Sequence, residues 1–177
     1  PLDKLVDEKL GGKVEMLKYD KLTANPMMNF EMTFDRPEDL SAFVDTFQEE
    51  FEAAFEEKKY IIAGYKNFRE AYDDLEQDFS KYDAYFVYSL CHFSFSNGIF
   101  NLVDGQKGDA RPDAGVFAPC SMYMYIEKDS NVLKIGMPYL ENWIAAAGIK
   151  NKKQIESIRT LDKEIISIME ELGATLK

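Results

Sequence analysis

Alternating apolar and polar residues mark the first clear strand of the chain. Within residues 29–34, Phe30, Met32 and Phe34 alternate with polar positions, which predicts a strand with one buried and one wet face. Apolar and aromatic stretches predict three further strands, at residues 60–65, 83–91 and 132–137.

The longest strand-like stretch covers residues 115–126, and we expect the sheet to be organised around it. Residues of alternate parity point to opposite faces of a strand. One predicted face carries Val116, Ala118, Cys120, Met122, Met124 and Ile126. The other predicted face carries Phe117, Pro119, Ser121, Tyr123 and Tyr125. Because neither set is purely polar, we expect a central strand that is covered on both sides.

A second pattern, with apolar residues three or four positions apart, predicts helices. The clearest is residues 40–55, where a stripe that includes Phe47 and Phe51 faces the core. Pro37 stands near the expected helix start, with acidic residues in the expected first turn. Similar spacing predicts helices at residues 2–10, 68–79, 138–147 and 155–172. Residues 92–100 are compatible with a helix or with an irregular segment that contains an Asn97-Gly98 turn.

Strands that alternate with helices, together with a hairpin at residues 128–131, define the expected fold. We predict an α/β fold, more narrowly α+β, with a two-layer architecture. A mostly antiparallel or mixed sheet of about five strands would carry the helices. We expect residues 1–28 to be an N-terminal extension and residues 29–177 to form a single domain. Residues 101–114 are rich in Gly, Asp and Pro, so we expect an exposed, mobile loop there.

The charge and hydropathy of the chain limit the kinds of partner that the protein could bind. A formal net charge of −11 would repel a phosphate backbone, so we expect no nucleic-acid partner. No apolar run approaches the roughly 20 residues of a membrane-spanning helix, so we expect a soluble protein without membrane insertion. The sequence begins with Pro1 instead of Met, which is typical of a mature exported chain or a trimmed one. We favour a periplasmic location over a cytoplasmic one.

The two cysteines allow three interpretations. Cys91 and Cys120 each lie on or beside a predicted central strand, without the spacing of a zinc motif. They could be buried unreactive thiols, a structural disulfide, or a reactive thiol or soft-metal site. For the last interpretation, His92 follows Cys91, and Met122 and Met124 share the face of Cys120. Thiolate, imidazole and thioether groups suit Cu(I) or a haem iron.

His92 is the only histidine of the chain. A catalytic triad or a multi-histidine metal site therefore needs a residue from another chain. We favour a histidine that forms a hydrogen bond at the end of a strand. Negative surroundings disfavour a thiolate, so we also expect Cys120 to be buried and slow to react.

Tyrosines are abundant on the predicted central strands. Each presents an apolar ring and a polar tip, so the lining could bound a ligand cavity or pack against a second subunit. No Gly-rich phosphate loop, nucleophile elbow or Walker pattern occurs in the sequence.

Residues 82–173 resemble the bacterial domain of unknown function 302 family. The resemblance rests on a strand that ends at Cys91, a following helical segment, and a strand with Pro119-Cys120 that returns through a hairpin. The chain departs from the family pattern in two places: His92-Phe93 stands where the family has Asn-Pro, and residues 101–114 form a longer loop. The resemblance implies a small α/β domain, often dimeric, without an established activity.

Three functions fit these observations. The first is a non-enzymatic domain that binds or senses a small molecule through the aromatic and Met-rich sheet face. The second is a thiol-dependent redox protein, or a handler of a soft metal or haem, that uses Cys91 and Cys120. The third is a structural homodimerisation domain. We assign no catalytic residue, no metal ligand and no specific cofactor. The candidate ligand-binding residues are Cys91, His92, Cys120, Met122, Tyr123, Met124 and Tyr125.

Overall fold

A computed structural model of the protein describes residues 26–101 and 110–177. Its strands are β1 (Met27–Thr33), β2 (Ile61–Asn67), β3 (Tyr82–Cys91), β4 (Cys120–Glu127), β5 (Val132–Pro138) and β6 (Thr175–Leu176). Its α-helices are α1 (Leu40–Glu57), α2 (Phe68–Asp74), α3 (Phe93–Phe100), α4 (Asn142–Ala146) and α5 (Lys152–Glu171). A 3-10 helix spans Pro112–Phe117.

The strands form one antiparallel sheet in the order β2-β3-β4-β5-β1-β6. This arrangement confirms the α+β fold and the interior position of β3 and β4. The sheet has six strands instead of about five, because the chain end pairs with Phe30 and Glu31 of β1. Two residues are too few to produce a strand-like pattern, which explains why β6 was missed.

The core lies between one face of the sheet and the long helices. On that face the sheet buries alternate residues of each interior strand, such as Phe30, Phe86 and Met124. Helix α1 supplies a stripe of buried phenylalanines, and the ring of Phe51 packs 4.9 Å from that of Tyr88 on β3. Phe51 has no exposed surface. The stripe predicted for residues 40–55 is therefore the core side of α1.

On the opposite face of the sheet, α2 packs at one side of the described structure. There, Phe68 of α2 packs edge to face on Tyr85 of β3, with ring centroids 5.8 Å apart. Tyr85 also stacks on Tyr125, and Tyr125 stacks on Tyr123, across β3 and β4. The two tyrosines of β4 remain half-buried, whereas Met122 and Met124, which alternate with them, are fully buried.

The predicted strand at residues 115–126 is wrong in its first part. Residues 112–117 turn in the 3-10 helix, the Ala118-Pro119 peptide bond is cis, and the strand begins at Cys120. Val116 is consequently 80% exposed instead of facing the core. The physical reason is the pair of prolines: Pro112 is preset for a helical first turn, and Pro119 cannot donate a hydrogen bond to a neighbouring strand.

Two predicted helices are shorter in the structure. Helix α2 ends at Asp74, and Glu76 then adopts a left-handed conformation with φ of 52°, so Phe79 lies beyond the helix. Pro138 belongs to β5, and α4 begins four residues later.

Some expectations fall outside the described residues. The helix predicted at residues 2–10 lies there, as do residues 102–109 of the predicted loop. Ala114, at the end of that loop, is fully buried in the 3-10 helix, whereas Pro112 and Asp113 before it are exposed. In residues 26–101 and 110–177, none of the helices has the length and apolar character needed to cross a bilayer.

Candidate functional site

The structure divides the candidate residues among three places. Cys91, His92 and Cys120 meet at one end of β3 and β4. Met122 and Met124 are fully buried in the core beneath the helices. Tyr123 and Tyr125 lie on the opposite face of the sheet, because their parity on β4 differs from that of Cys120. The seven residues therefore cannot contact one ligand together.

Strand pairing brings the two cysteines together. In the antiparallel β3-β4 pair, Leu90 lies opposite Cys120, and Cys91 is the next and last residue of β3. Both cysteines line one small cavity at this end of the sheet. The chain then turns into α3, whose N-terminus is capped by His92: its Nδ1 accepts the Phe95 N–H at 3.3 Å. The Sγ of Cys91 lies 3.6 Å from the Oγ of Ser96 in the same turn. Both thiols are free and half-buried.

A cavity of about 10 Å³ lies at this meeting point, and we call it the thiol cavity. Its volume corresponds to roughly one water molecule. Its polar and sulfur-bearing lining consists of Tyr60, Cys91, His92, Ser96, Cys120 and Met137. Leu90, Leu161 and Ile165 close its apolar side.

The groups around the thiol cavity favour neutral or cationic occupants. Burial raises the pKa of the Cys120 thiol to about 12, and Cys91 and Asp162 add to the effect. Burial also raises the pKa of Tyr60 far above its usual range. Glu164 adds to this effect, and its carboxylate accepts a hydrogen bond from the Tyr60 hydroxyl at 3.0 Å. The strongest charges acting on Cys120 and Tyr60 are thus negative.

Asp162 of the last helix, α5, fixes the turn that precedes α4. Its carboxylate, on α5, accepts the backbone N–H groups of Leu140 at 2.8 Å and Glu141 at 3.0 Å. Asp162 is only 5% exposed, and this burial raises its pKa to about 6 in spite of the two hydrogen bonds. Glu141, which pairs with Arg159 at 2.7 Å, raises it further. The turn that Asp162 holds leads directly into α4.

The second site is an apolar groove of about 430 Å³ beside α4, which we call the Trp143 groove. Its apolar lining includes Met27, Phe117, Met137, Pro138, Tyr139 and Trp143. Its polar lining is Cys120, Ser121 and Asn142. The Trp143 indole is fixed between Phe117, stacked at 5.5 Å, and Phe95 at 5.8 Å. The Asn142 amide donates to the backbone oxygens of Pro26 and Tyr139, so it braces the wall of the groove.

The two sites share a wall. Cys120, Met137, Leu140 and Trp143 line both the thiol cavity and the Trp143 groove. Within the described ranges, no three His, Cys, Asp or Glu residues are grouped as a metal site would require. The arrangement can therefore enclose an apolar molecule in the groove, and it offers sulfur donors at the bottom.

Sequence patterns missed several of these residues. Trp143 lies on the helix predicted at residues 138–147, but no pattern indicated the groove beside it, which the 3-10 helix at residues 112–117 helps to form through Phe117. A signal was present for Asp162: it falls on the apolar stripe of α5, four residues after Ile158 and three before Ile165. A carboxylate on a buried helical face indicates a side chain that is hydrogen-bonded within the protein.

Fold and sites together define a small α+β domain with an antiparallel six-stranded sheet, one principal helical layer and an apolar groove at the sheet end. The chain is similar to a solved structure described as the crystal structure of uncharacterized conserved protein DUF302 from Bacillus stearothermophilus. The two share 15% identity with a TM-score of 0.64, over 84% of this chain and 99% of the other. The chain therefore has a DUF302-like fold, as the resemblance implied. No protein-family model and no curated protein sequence matches it.

Proposed function

We propose that the protein is a non-enzymatic binding domain that takes a small, neutral aromatic molecule into the Trp143 groove. The observation that carries this proposal is the groove itself. Its volume of about 430 Å³ lies within the range of roughly 300–1,000 Å³ that is usual for small-molecule sites. Its lining also has the usual composition of such sites, with mostly apolar side chains and a few polar groups at fixed positions.

An aromatic ligand suits the side chains that line the groove. Trp143 and Phe117 already stack on each other, and Tyr139 completes an aromatic wall. Aromatic rings attract a further ring in offset or edge-to-face geometry. Because the indole is fixed by two neighbouring rings, little side-chain freedom would be lost on binding.

Charge supports a neutral ligand over an anionic one. The chain has a formal net charge of −11, and Glu141 and Asp162 lie at the turn that forms one wall. An anion would meet this field without a compensating cation among the described residues that line the groove. The raised pKa of Cys120 also disfavours a nucleophilic thiolate there, in keeping with binding without catalysis.

The only tryptophan of the chain lines the groove, which provides a direct measurement. Purified full-length protein is titrated with N-phenyl-1-naphthylamine, a neutral aromatic probe, while quenching of Trp143 and emission of the probe are recorded. We expect saturable 1:1 binding. In Ala146→Phe, a phenyl ring would fill the groove and abolish binding, because Ala146 is half-buried in its lining.

Ala42→Phe is the matched control, since Ala42 is exposed on α1 and does not line the groove. It should bind like the parent protein. Circular dichroism checks that both variants fold. Equal binding by Ala146→Phe and the parent, or no saturable binding by the parent, would exclude the groove as the ligand site.

The face of the sheet opposite the core supports a second candidate function, homodimerisation. Tyr85, Tyr125 and Tyr123 stack in a row there and are half-buried, and among the described elements only α2 packs beside them. Lys134 pairs with Glu127 at the edge of the row, so a two-fold arrangement could exchange such pairs between copies.

Sedimentation equilibrium tests this candidate. The parent protein should be a dimer, and Tyr125→Glu should be monomeric because a carboxylate would be buried in the interface. Val116→Glu, at an exposed position away from the row, should remain dimeric. A monomeric parent protein at high concentration would refute the dimer.

A further inference from the structure

Three sulfur atoms border the thiol cavity. Cys91 and Cys120 are the only cysteines of the chain, and Met137 of β5 is one of eight methionines. Cys91 ends β3 beside Leu90, the residue that pairs with Cys120 at the start of β4, and β4 lies between β3 and β5 in the sheet order. Three adjacent strands thus each present one soft donor at the same place.

His92 is excluded from this donor set by its hydrogen bond. Its Nδ1 accepts the Phe95 N–H, and in the neutral ring the other nitrogen then carries the proton. Neither nitrogen offers a lone pair to an occupant of the cavity. The available donors are two thiols and a thioether.

The number and type of donors select among metals. Zinc in structural sites takes four ligands, and no group of three His, Cys, Asp or Glu occurs in the part of the chain that the structure describes. Sulfur ligands from Cys and Met select Cu(I) among the common biological metals. The cavity, with a volume of about 10 Å³, accommodates one such ion and little else.

Electrostatic surroundings also favour a cation. Asp162 acts on both Cys120 and Tyr60, and Glu164 is hydrogen-bonded to Tyr60 at the rim. Negative charges around an apolar cavity lower the free energy of a cation inside it. They also oppose two bare thiolates, and one bound Cu(I) offsets the charge of one of the two.

We propose that Cys91 and Cys120, assisted by Met137, form a binding site for one soft monovalent cation, Cu(I) in the cell or Ag(I) as its analogue. The two thiols each lose a proton to solvent, and two metal–sulfur bonds form. The metal is neither oxidised nor reduced, and the thioether adds a third, weaker contact. This site is distinct from the binding function proposed for the Trp143 groove, although Cys120 and Met137 border both.

Competition for Cu(I) tests the site. Reduced full-length protein is titrated anaerobically with Cu(I) in the presence of the chelator bathocuproine disulfonate. We expect one Cu(I) per chain to be withheld from the chelator, with release of two protons in weakly buffered solution. Cys91→Ser and Cys120→Ser should each lose the bound Cu(I) while circular dichroism shows an intact fold.

Two methionine substitutions distinguish a loss of metal coordination from a loss of core packing. Met137→Leu should weaken Cu(I) binding, whereas Met122→Leu should not, because Met122 is equally buried on the same face but does not line the cavity.

Three results would overturn the proposal. One is complete transfer of Cu(I) from the parent protein to the chelator. Another is retention of Cu(I) by the Cys91→Ser/Cys120→Ser double variant. The third is a thiol count of zero in the native, unreduced protein together with two after reduction, which would show a disulfide in place of two free ligands.

Discussion

Tyr123 lies directly across Gly136. The two residues face each other in the β4-β5 pair, and the phenol passes over the glycine to reach the next strand. There its hydroxyl donates to the Oδ1 of Asn29 on β1 at 2.9 Å. A Cβ atom on Gly136 would lie 2.8 Å from Cε1 of Tyr123 and closer still to the Cζ and Oη atoms. The position of the Tyr123 ring therefore depends on the absence of a side chain at position 136.

Gly136→Ala should destabilise the protein by about 1–3 kcal/mol, because the ring of Tyr123 must leave its position and its hydrogen bond. Denaturant unfolding measures the change. Gly98→Ala is the matched control: a Cβ there has no heavy atom within 4 Å, and alanine favours the helix α3. Adding Tyr123→Ala should remove most of the effect of Gly136→Ala. Equal effects of the two glycine substitutions would contradict this account.

The fold was predictable because buried residues recur at regular intervals along its helices and strands. The stripe of α1 and the alternation in β1, β3 and β5 reflect burial on one side, and burial acts at every turn or every second residue. The resemblance involved a strand that ends at Cys91 and a strand with Pro119-Cys120, and the structure places both cysteines at one cavity. Periodicity predicts which side of an element is buried, so it was sufficient for the core.

The groove was not predictable for a physical reason. It arises where the chain departs from regular structure, in the 3-10 helix Pro112–Phe117 and the turn at Tyr139. Such segments are set by tertiary contacts, such as the stacking of Phe117 on Trp143 and the bonds from Leu140 and Glu141 to Asp162. No period in the sequence encodes these contacts, and they join residues that are 20 or more positions apart.

Truncation of the phenylalanine stripe should strongly destabilise the protein. Phe47→Ala and Phe51→Ala should each lower the free energy of unfolding by about 3–5 kcal/mol, because both rings are buried against the sheet and leave a cavity. Glu50→Ala, on the exposed side of α1, is the control and should change stability by less than about 0.5 kcal/mol. A change below about 1 kcal/mol for both phenylalanines would mean that α1 does not pack in this way.

The thiol of Cys120 should react slowly in the folded protein. Its pKa of about 12 leaves roughly a thousandfold less thiolate at neutral pH than an ordinary cysteine has. In the Cys91→Ser variant Cys120 is the only thiol, so iodoacetamide labelling followed by mass spectrometry reports on it alone. Labelling should become much faster in denaturant. A folded-state rate close to the unfolded rate would show that the thiol is neither buried nor suppressed.

Asp162 should give the stability of the protein a specific pH dependence. Its pKa is raised from 3.8 to about 6 in the folded chain, so between these values the folded state binds the proton more tightly than the unfolded state. Stability contributed by this group therefore decreases as pH rises through that window. The contribution that is lost is at most about 3 kcal/mol. Carboxylates with a lowered pKa, such as Asp83 beside Arg36, change stability in the opposite direction.

A comparison with Asp162→Asn isolates the effect from those other groups. The amide retains one oxygen acceptor but cannot accept both the Leu140 and Glu141 N–H groups, so the variant should be less stable throughout. Free energies of unfolding are measured for both proteins from pH 4 to pH 7. The stability advantage of the parent should be largest at pH 4 and should shrink as pH rises, because only the parent must ionise a buried carboxyl group. An advantage that is constant, or that grows with pH, would show that Asp162 ionises without a penalty from burial.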